Sequence, residues 1–142
     1  MTLERTLCII KPDAWERRVS GHILQRILDE GFTVLGMQQI QLTLQQAEGF
    51  YEVHKERPFY SSLCSFMTRG KVIVIALERE GAVAHWRKVI GATDPAKAEP
   101  NTLRKLFAKS MSENAVHGSD SVENGIRECA FFFPEGQLLS QQ

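Results

Sequence analysis

The 142-residue chain is 43% hydrophobic and 24% charged, ordinary proportions for a globular protein with one real core. Its 17 Lys and Arg balance 17 Asp and Glu, so it lacks the basic excess of a dedicated nucleic-acid binder. Nucleic acid is therefore not expected as a partner, although a local basic cluster around a small anion is compatible with neutrality. Cys8, Cys64 and Cys129 show no C-x-x-C or Cys/His zinc spacing, which points to a reduced, cytoplasmic setting. No secretory leader follows Met1-Thr2-Leu3-Glu4-Arg5. The uncharged stretch over residues 32–47 is too rich in Gln and Thr to span a membrane.

Leu7-Cys8-Ile9-Ile10 reads as a buried strand that stops at Lys11-Pro12. Residues 20–30 read as a helix with Ile23, Leu24, Ile27 and Leu28 inward and Gly31 as its stop. Residues 32–42 form a second strand. Thr43 then opens a helix, with Gln46 completing a capping box; Leu44, Ala47, Phe50, Tyr51 and His54 share one face of it. Residues 59–67 are predicted helical, ending near Gly70. The run Val72-Ile73-Val74-Ile75-Ala76-Leu77 lacks polar alternation, so it reads as a central strand covered on both faces.

Residues 82–90 are predicted helical with Val83, Trp86 and Ile90 inward, and residues 91–101, holding Pro95 and Pro100, are irregular. A short helix covers 102–109 and a short strand falls near 114–117. Ser121 caps a last helix with Val122, Ile126, Cys129 and Ala130 on one side, and Phe131-Phe132-Phe133 packs on the core. Residues 137–142 read as a polar, mobile tail. No repeat or linker splits the chain, so residues 1–142 are expected to form a single domain. The order suits an α/β (α+β) sandwich with an antiparallel sheet, not a doubly wound parallel one.

The usual phosphate loops are missing. Gly70-Lys71 ends like a Walker A motif, but Ser65 stands where the first Gly belongs and Val72 replaces Ser/Thr. There is no G-x-G-x-x-G and no kinase catalytic loop. Any phosphate site must therefore be built from side chains.

The candidate is His117, in Asn114-Ala115-Val116-His117-Gly118-Ser119-Asp120-Ser121. Small, turn-forming residues on its far side expose the imidazole, and a neutral imidazole nitrogen is a competent nucleophile towards phosphorus. On this stretch alone, a reactive histidine and a plain loop histidine fit equally well. The N-x-x-H-G-S-D form, however, resembles the active-site signature of the nucleoside diphosphate kinase family. The resemblance spans roughly residues 4–134. It takes in Arg5-Thr6, Lys11-Pro12-Asp13, Gly49-Phe50-Tyr51, Arg57-Pro58-Phe59, Gly91-Ala92-Thr93-Asp94-Pro95 and Thr102-Leu103-Arg104.

The resemblance implies a ferredoxin-like four-stranded antiparallel sheet covered by helices, and an enzyme that moves the γ-phosphoryl group between nucleotides through phospho-His117. In it Lys11 binds the transferred phosphate, Tyr51 lies close to Lys11 and His117, and Arg87, Thr93 and Arg104 hold the other phosphates. Phe59 stacks on the base and Asn114 bonds the sugar hydroxyl. Glu128 orients the second ring nitrogen of His117, and Ser119 supports Glu128. Mg2+ is held mainly by nucleotide phosphates, with Asp120 helping through water. A homo-oligomer, tetramer or hexamer, is implied as well. A stack on one aromatic face tolerates every nucleobase, so broad base specificity and a role in maintaining nucleoside triphosphate pools follow. The competing reading is a catalytically silent nucleotide-binding scaffold or regulator.

Taken singly, each of these residues has a structural reading too: Arg87 as a solvated helix residue, Tyr51 and Phe59 as core aromatics. His22, His54 and His85 lack the flanking pattern and read as surface or structural. The chain departs from the family pattern at Asn101, where Gly is usual, at Lys105-Leu106, at Ala14-Trp15, at Trp86 and at Arg69-Gly70-Lys71.

Overall fold

In the computed structural model, residues 2–139 are described. The first strand, β1 (Leu3–Ile10), runs into a short helix, α1 (Pro12–Glu16), with proline in its first turn. Helix α2 (Ser20–Asp29), strand β2 (Thr33–Gln41), helix α3 (Leu44–Phe50) and a 3₁₀ turn (Glu52–His54) follow. Then come α4 (Tyr60–Met67), β3 (Lys71–Glu80), α5 (Ala82–Ile90), α6 (Leu103–Phe107), β4 (Val116–His117) and α7 (Val122–Phe132). The strands form one sheet in the order β2-β3-β1-β4, with every pairing antiparallel. This is the ferredoxin-like sandwich expected from the sequence.

The two central strands explain the unbroken apolar runs. Alternate side chains of β1 and β3 enter different cores, one on each face of the sheet. Leu7, Ile9, Val72, Val74 and Ala76 pack on one side with Phe50, Met67 and Cys129. Cys8, Ile10, Ile75 and Leu77 pack on the other with Ile23, Ile27 and Trp86. All three cysteines are free and buried. The Thr43–Gln46 capping box forms as read.

Helix-face assignments needed correction where a helix is only partly covered. On α2, Ile23 and Ile27 are buried but Leu28 is exposed, and on α3 Leu44 is exposed. The last helix differs most. Of Val122, Ile126, Cys129 and Ala130, only Cys129 is buried; the inward face is Gly125, Glu128 and Cys129. The apolar period therefore misplaces the stripe, because α7 turns a glycine and a carboxylate inward. Phe133 is buried and Phe131 exposed. Helix α1 escaped the sequence reading. The tail read from residue 137 begins with an ordered turn: Glu135–Leu138 is a 3₁₀ helix, Leu138 is buried and its carbonyl accepts from Arg5. Residues 140–142 lie outside the described residues.

Gly125 sets how α7 sits on β1. A Cβ at this position would lie 2.1 Å from the Arg5 carbonyl oxygen, so only glycine permits this approach. Gly125→Ala is expected to lower the unfolding free energy by about 3 kcal/mol through overpacking against backbone. In a thermal melt followed by circular dichroism that corresponds to roughly 10 °C.

Candidate active site

Strand β1 ends at Ile10, and the chain corner after it places Lys11 beside β4. Short as it is, β4 brings Val116 opposite Ile10 and His117 opposite Ile9, and this pairing joins the first and last thirds of the sequence at one sheet edge. His117 is held from behind. Its Nε2 lies 2.8 Å from Glu128 Oε1, on α7. The same oxygen accepts the Ser119 hydroxyl at 2.7 Å. Ser119 Oγ in turn accepts the Leu7 amide, and its own amide donates to Thr6 Oγ1. A carboxylate acceptor assigns the proton to Nε2, so Nδ1 carries the lone pair. Among the described residues Nδ1 has no hydrogen-bond partner.

Burial pushes the His117 pKa below its ordinary value, Glu128 opposes that, and the nearby charges of Lys11 and Arg104 reinforce it. The imidazole is therefore neutral at physiological pH. Lys11 is itself buried and donates from Nζ to Asn114 Oδ1 at 2.8 Å. Burial and the Arg104 charge bring its pKa down to about 8, with Asp13 pulling the other way. Arg104 donates to the carbonyls of Gly91 and Val116, leaving its buried Nε without a partner. Burial and Arg87 lower its pKa to about 10, still cationic at neutral pH.

A cleft of about 480 Å³ opens beside this cluster, lined among others by Arg87, Lys88, Thr93, Lys97 and Arg104. The structure thus gathers Arg87, Thr93 and Arg104 in one cavity. Arg87 also bears electrostatically on Asp120, whose carboxyl is held below its usual range chiefly by Asn124. On the other side, contacting rings lead from His117 through Phe50, Tyr51 and His54 to Phe59, with centroid separations of 4.9–6.5 Å. Phe59 is 47% exposed, so one ring face is open to a ligand. The Tyr51 hydroxyl is buried without a partner, and burial and the Glu128 charge raise its pKa, so it stays a proton donor. Asn114 spends its polar atoms on Lys11 Nζ and the Met111 carbonyl.

Three contributors were not singled out by the sequence. Trp86 donates from Nε1 to the His117 carbonyl at 3.2 Å. Gly118 is needed beneath it, because a Cβ there would lie 2.8 Å from the Trp86 ring. Asp13 accepts the Ala115 amide at 3.0 Å. The inward face of α5 had pointed to Trp86, but nothing in one sequence shows which carbonyl its indole meets. Asn101, flagged as a departure, does adopt a left-handed conformation (φ +66°), and its carbonyl accepts from Arg26.

An anchored neutral imidazole facing a lysine and arginines, with space for a polyanion, has the makings of a phosphotransfer enzyme. Comparison with known proteins narrows the class. A family model described as nucleoside diphosphate kinase matches residues 4–138. A protein of Pelobacter propionicus named nucleoside diphosphate kinase is 56% identical over 96% of this chain and 100% of its own length. Its namesake from Geobacter sulfurreducens is 54% identical with the same coverage. The crystal structure of the Aquifex aeolicus nucleoside diphosphate kinase superposes with a TM-score of 0.94 at 40% identity, covering 97% of this chain and 100% of that one. The chain belongs to the nucleoside diphosphate kinase family, whose enzymes transfer phosphoryl groups between nucleotides.

Trp86→Phe keeps an aromatic ring under Gly118 but removes the indole N–H donated to the His117 carbonyl. It is expected to lower the unfolding free energy by about 1–2 kcal/mol, read by urea denaturation.

Proposed function

We propose that this enzyme passes the γ-phosphoryl group of a nucleoside triphosphate to a nucleoside diphosphate in two half-reactions, with His117 as the carrier. The observation that carries this reading is the fixed tautomer: Nε2 on Glu128, Nδ1 without a protein partner. In the first half-reaction the Nδ1 lone pair attacks the γ-phosphorus. An N–P bond forms, the bond to the bridging oxygen breaks, and the electron pair leaves with the nucleoside diphosphate. In the second, a terminal oxygen of the incoming diphosphate attacks the same phosphorus and the N–P electrons return to Nδ1. The Nε2 proton stays in its bond to Glu128 throughout.

The protein's contribution is positioning and charge. Lys11 lies beside His117, where charge develops on the transferred group. Arg104 and Arg87 meet the remaining phosphates; arginine grips oxygens bidentately, while lysine acts as a point charge. The unpartnered Arg104 Nε and Tyr51 Oη are buried donors that a polyanion can satisfy. Thr93 lines the same cleft, the open face of Phe59 supports a base without reading its edge, and Asn114 and Ser119 hold Lys11 and Glu128 in place.

The family's divalent cation we assign as Mg2+. Among the described residues no cluster of three or more His, Cys, Asp or Glu could cage a metal. Mg2+ suits such a site, because it binds through substrate phosphates and retained waters with one or two carboxylates. To Asp120, whose carboxyl is held ionised chiefly by Asn124, we assign the water-mediated contact. Its chemistry when bound is to neutralise phosphate charge. We further infer a single-domain protomer of a homo-oligomer, tetramer or hexamer, acting in the cytoplasm with broad base specificity. Among the described residues no helix is long and apolar enough to cross a membrane.

Incubation with γ-labelled ATP and Mg2+ should leave acid-labile label on the wild-type protein, discharged by GDP, and none on His117→Ala. Wild type that binds ADP yet takes no label would instead mark a silent scaffold. Glu128→Gln leaves a neutral, weaker acceptor that can flip to present its NH2 to the ring, and should lower kcat on the order of 100-fold. The pH profile of kcat/KM should be bell-shaped. Nδ1 must be unprotonated, so activity falls only as pH drops through a value below the ordinary imidazole pKa. Lys11 must be charged, so activity falls again as pH rises through about 8.

A further inference from the structure

Ala115 has a left-handed backbone, φ +74°, although it is not glycine. It is fully buried and stands between Asn114, which holds Lys11, and Val116-His117. An alanine keeps such a conformation only where its surroundings over-determine it. Here both ends of the residue are tied to the corner that follows β1. The Ala115 carbonyl accepts the Lys11 amide at 2.9 Å, and the Ala115 amide donates to Asp13 Oδ2 at 3.0 Å.

Asp13 is an expensive residue to use for this. Its side chain is 2% exposed and its Oδ1 makes no hydrogen bond of normal geometry. A buried carboxylate without full compensation is rare unless it has a task. The carboxylate stands in the first turn of α1, where backbone amides and, at longer range, the Lys11 charge favour its ionised form against burial.

We propose that Asp13 is a positioning residue for phosphoryl transfer: its carboxylate pins Ala115, whose carbonyl holds the Lys11 amide, in the left-handed conformation, so that Lys11, Asn114 and His117 keep one working arrangement. The role is indirect, since Asp13 reaches the reacting atoms only through Ala115 and Lys11. Breaking the brace lets Ala115 return to negative φ, which swings Asn114 away from Lys11 Nζ and turns β4 at His117. Removing the charge alone leaves the brace but lowers the proton affinity of Lys11, which burial and Arg104 already depress. The proposal rests on the reading of His117 as carrier and Lys11 as its cation.

The test compares Asp13→Ala, Asp13→Asn and the double variant Asp13→Ala/Ala115→Gly with wild type, using ATP and a nucleoside diphosphate. Wild-type labelling is measured first, so a failed carrier reading is recognised separately. Asp13→Ala should lose roughly 100-fold in kcat, the scale of an ångström-sized misplacement, with KM changed far less. Ala115→Gly should restore about tenfold or more of that loss, because glycine enters positive φ without a Cβ penalty. Asp13→Asn, which can still accept the Ala115 amide, should keep kcat within about tenfold and shift the alkaline limb below pH 8. Three results would overturn the proposal: Asp13→Ala within about threefold of wild type, no rescue by glycine, or an unmoved alkaline limb in Asp13→Asn. If Asp13→Ala does not fold, the pH profile of Asp13→Asn decides alone.

Discussion

The contact between His117 Nε2 and Glu128 Oε1 is the constraint on which the site depends. It selects the tautomer, so it decides which nitrogen faces the cleft. It also demands that α7, which carries Glu128 eleven residues further along the chain, lie against β1 at a fixed height. Gly125 meets that demand by letting the helix touch the Arg5 carbonyl, and Glu128 follows three residues later on the same inward face. Ser119 closes the arrangement, because its hydroxyl ties Glu128 to the Leu7 amide and hence to the centre of the sheet. A ring held in this way has little orientational freedom left to lose, which is what the proposed carrier role asks of it.

The positive charge around the ring is arranged differently. No carboxylate lies within ion-pair distance of Lys11 or Arg104 among the described residues; both are held by neutral oxygens of Asn114, Gly91 and Val116. Their charge is therefore fixed in place without being cancelled, and stays available to a polyanion. The cost appears as lowered proton affinities and a buried arginine Nε without a partner. The dense packing on both faces of β1 and β3 supports that cost. Conserving charge for a ligand at the expense of the empty protein is the usual bargain of a preorganised site. The sequence holds no glycine phosphate loop, and the proposed phosphate site is accordingly built from these side chains.

Trp86 shows how a departure from the family pattern can be absorbed. The indole fills the second core, meets Phe32 edge-on and ends on the His117 carbonyl. Its size is tolerated because residue 118 has no side chain to collide with it. Asn101 is a similar case: a residue that tolerates positive φ stands where glycine is usual, and Arg26 holds its carbonyl.

Much of this protein was legible in its sequence. The unbroken run 72–77 announced a strand covered on both faces, the Thr43–Gln46 pair announced a helix start, and the spaced motifs announced the family. Those signals are local or depend on residue identity, which a sequence carries directly. What it could not carry is which side of a helix turns inward when a glycine and a carboxylate, not leucines, make the contact. The apolar period put Val122 and Ile126 on the inward side of α7, and backbone proximity put Gly125 and Glu128 there instead. Nor could spacing reveal that Trp86, Asp13 and Thr6 all end on the strand and turn that carry His117. Those contacts join positions some thirty to a hundred residues apart, and only chain packing brings them within hydrogen-bonding range. The sequence by itself determined the fold class, the family and the chemical groups. The tertiary structure decided which His117 nitrogen meets Glu128, the lowered proton affinity of Lys11 and the left-handed turn at Ala115, because each depends on distant groups that only packing brings together.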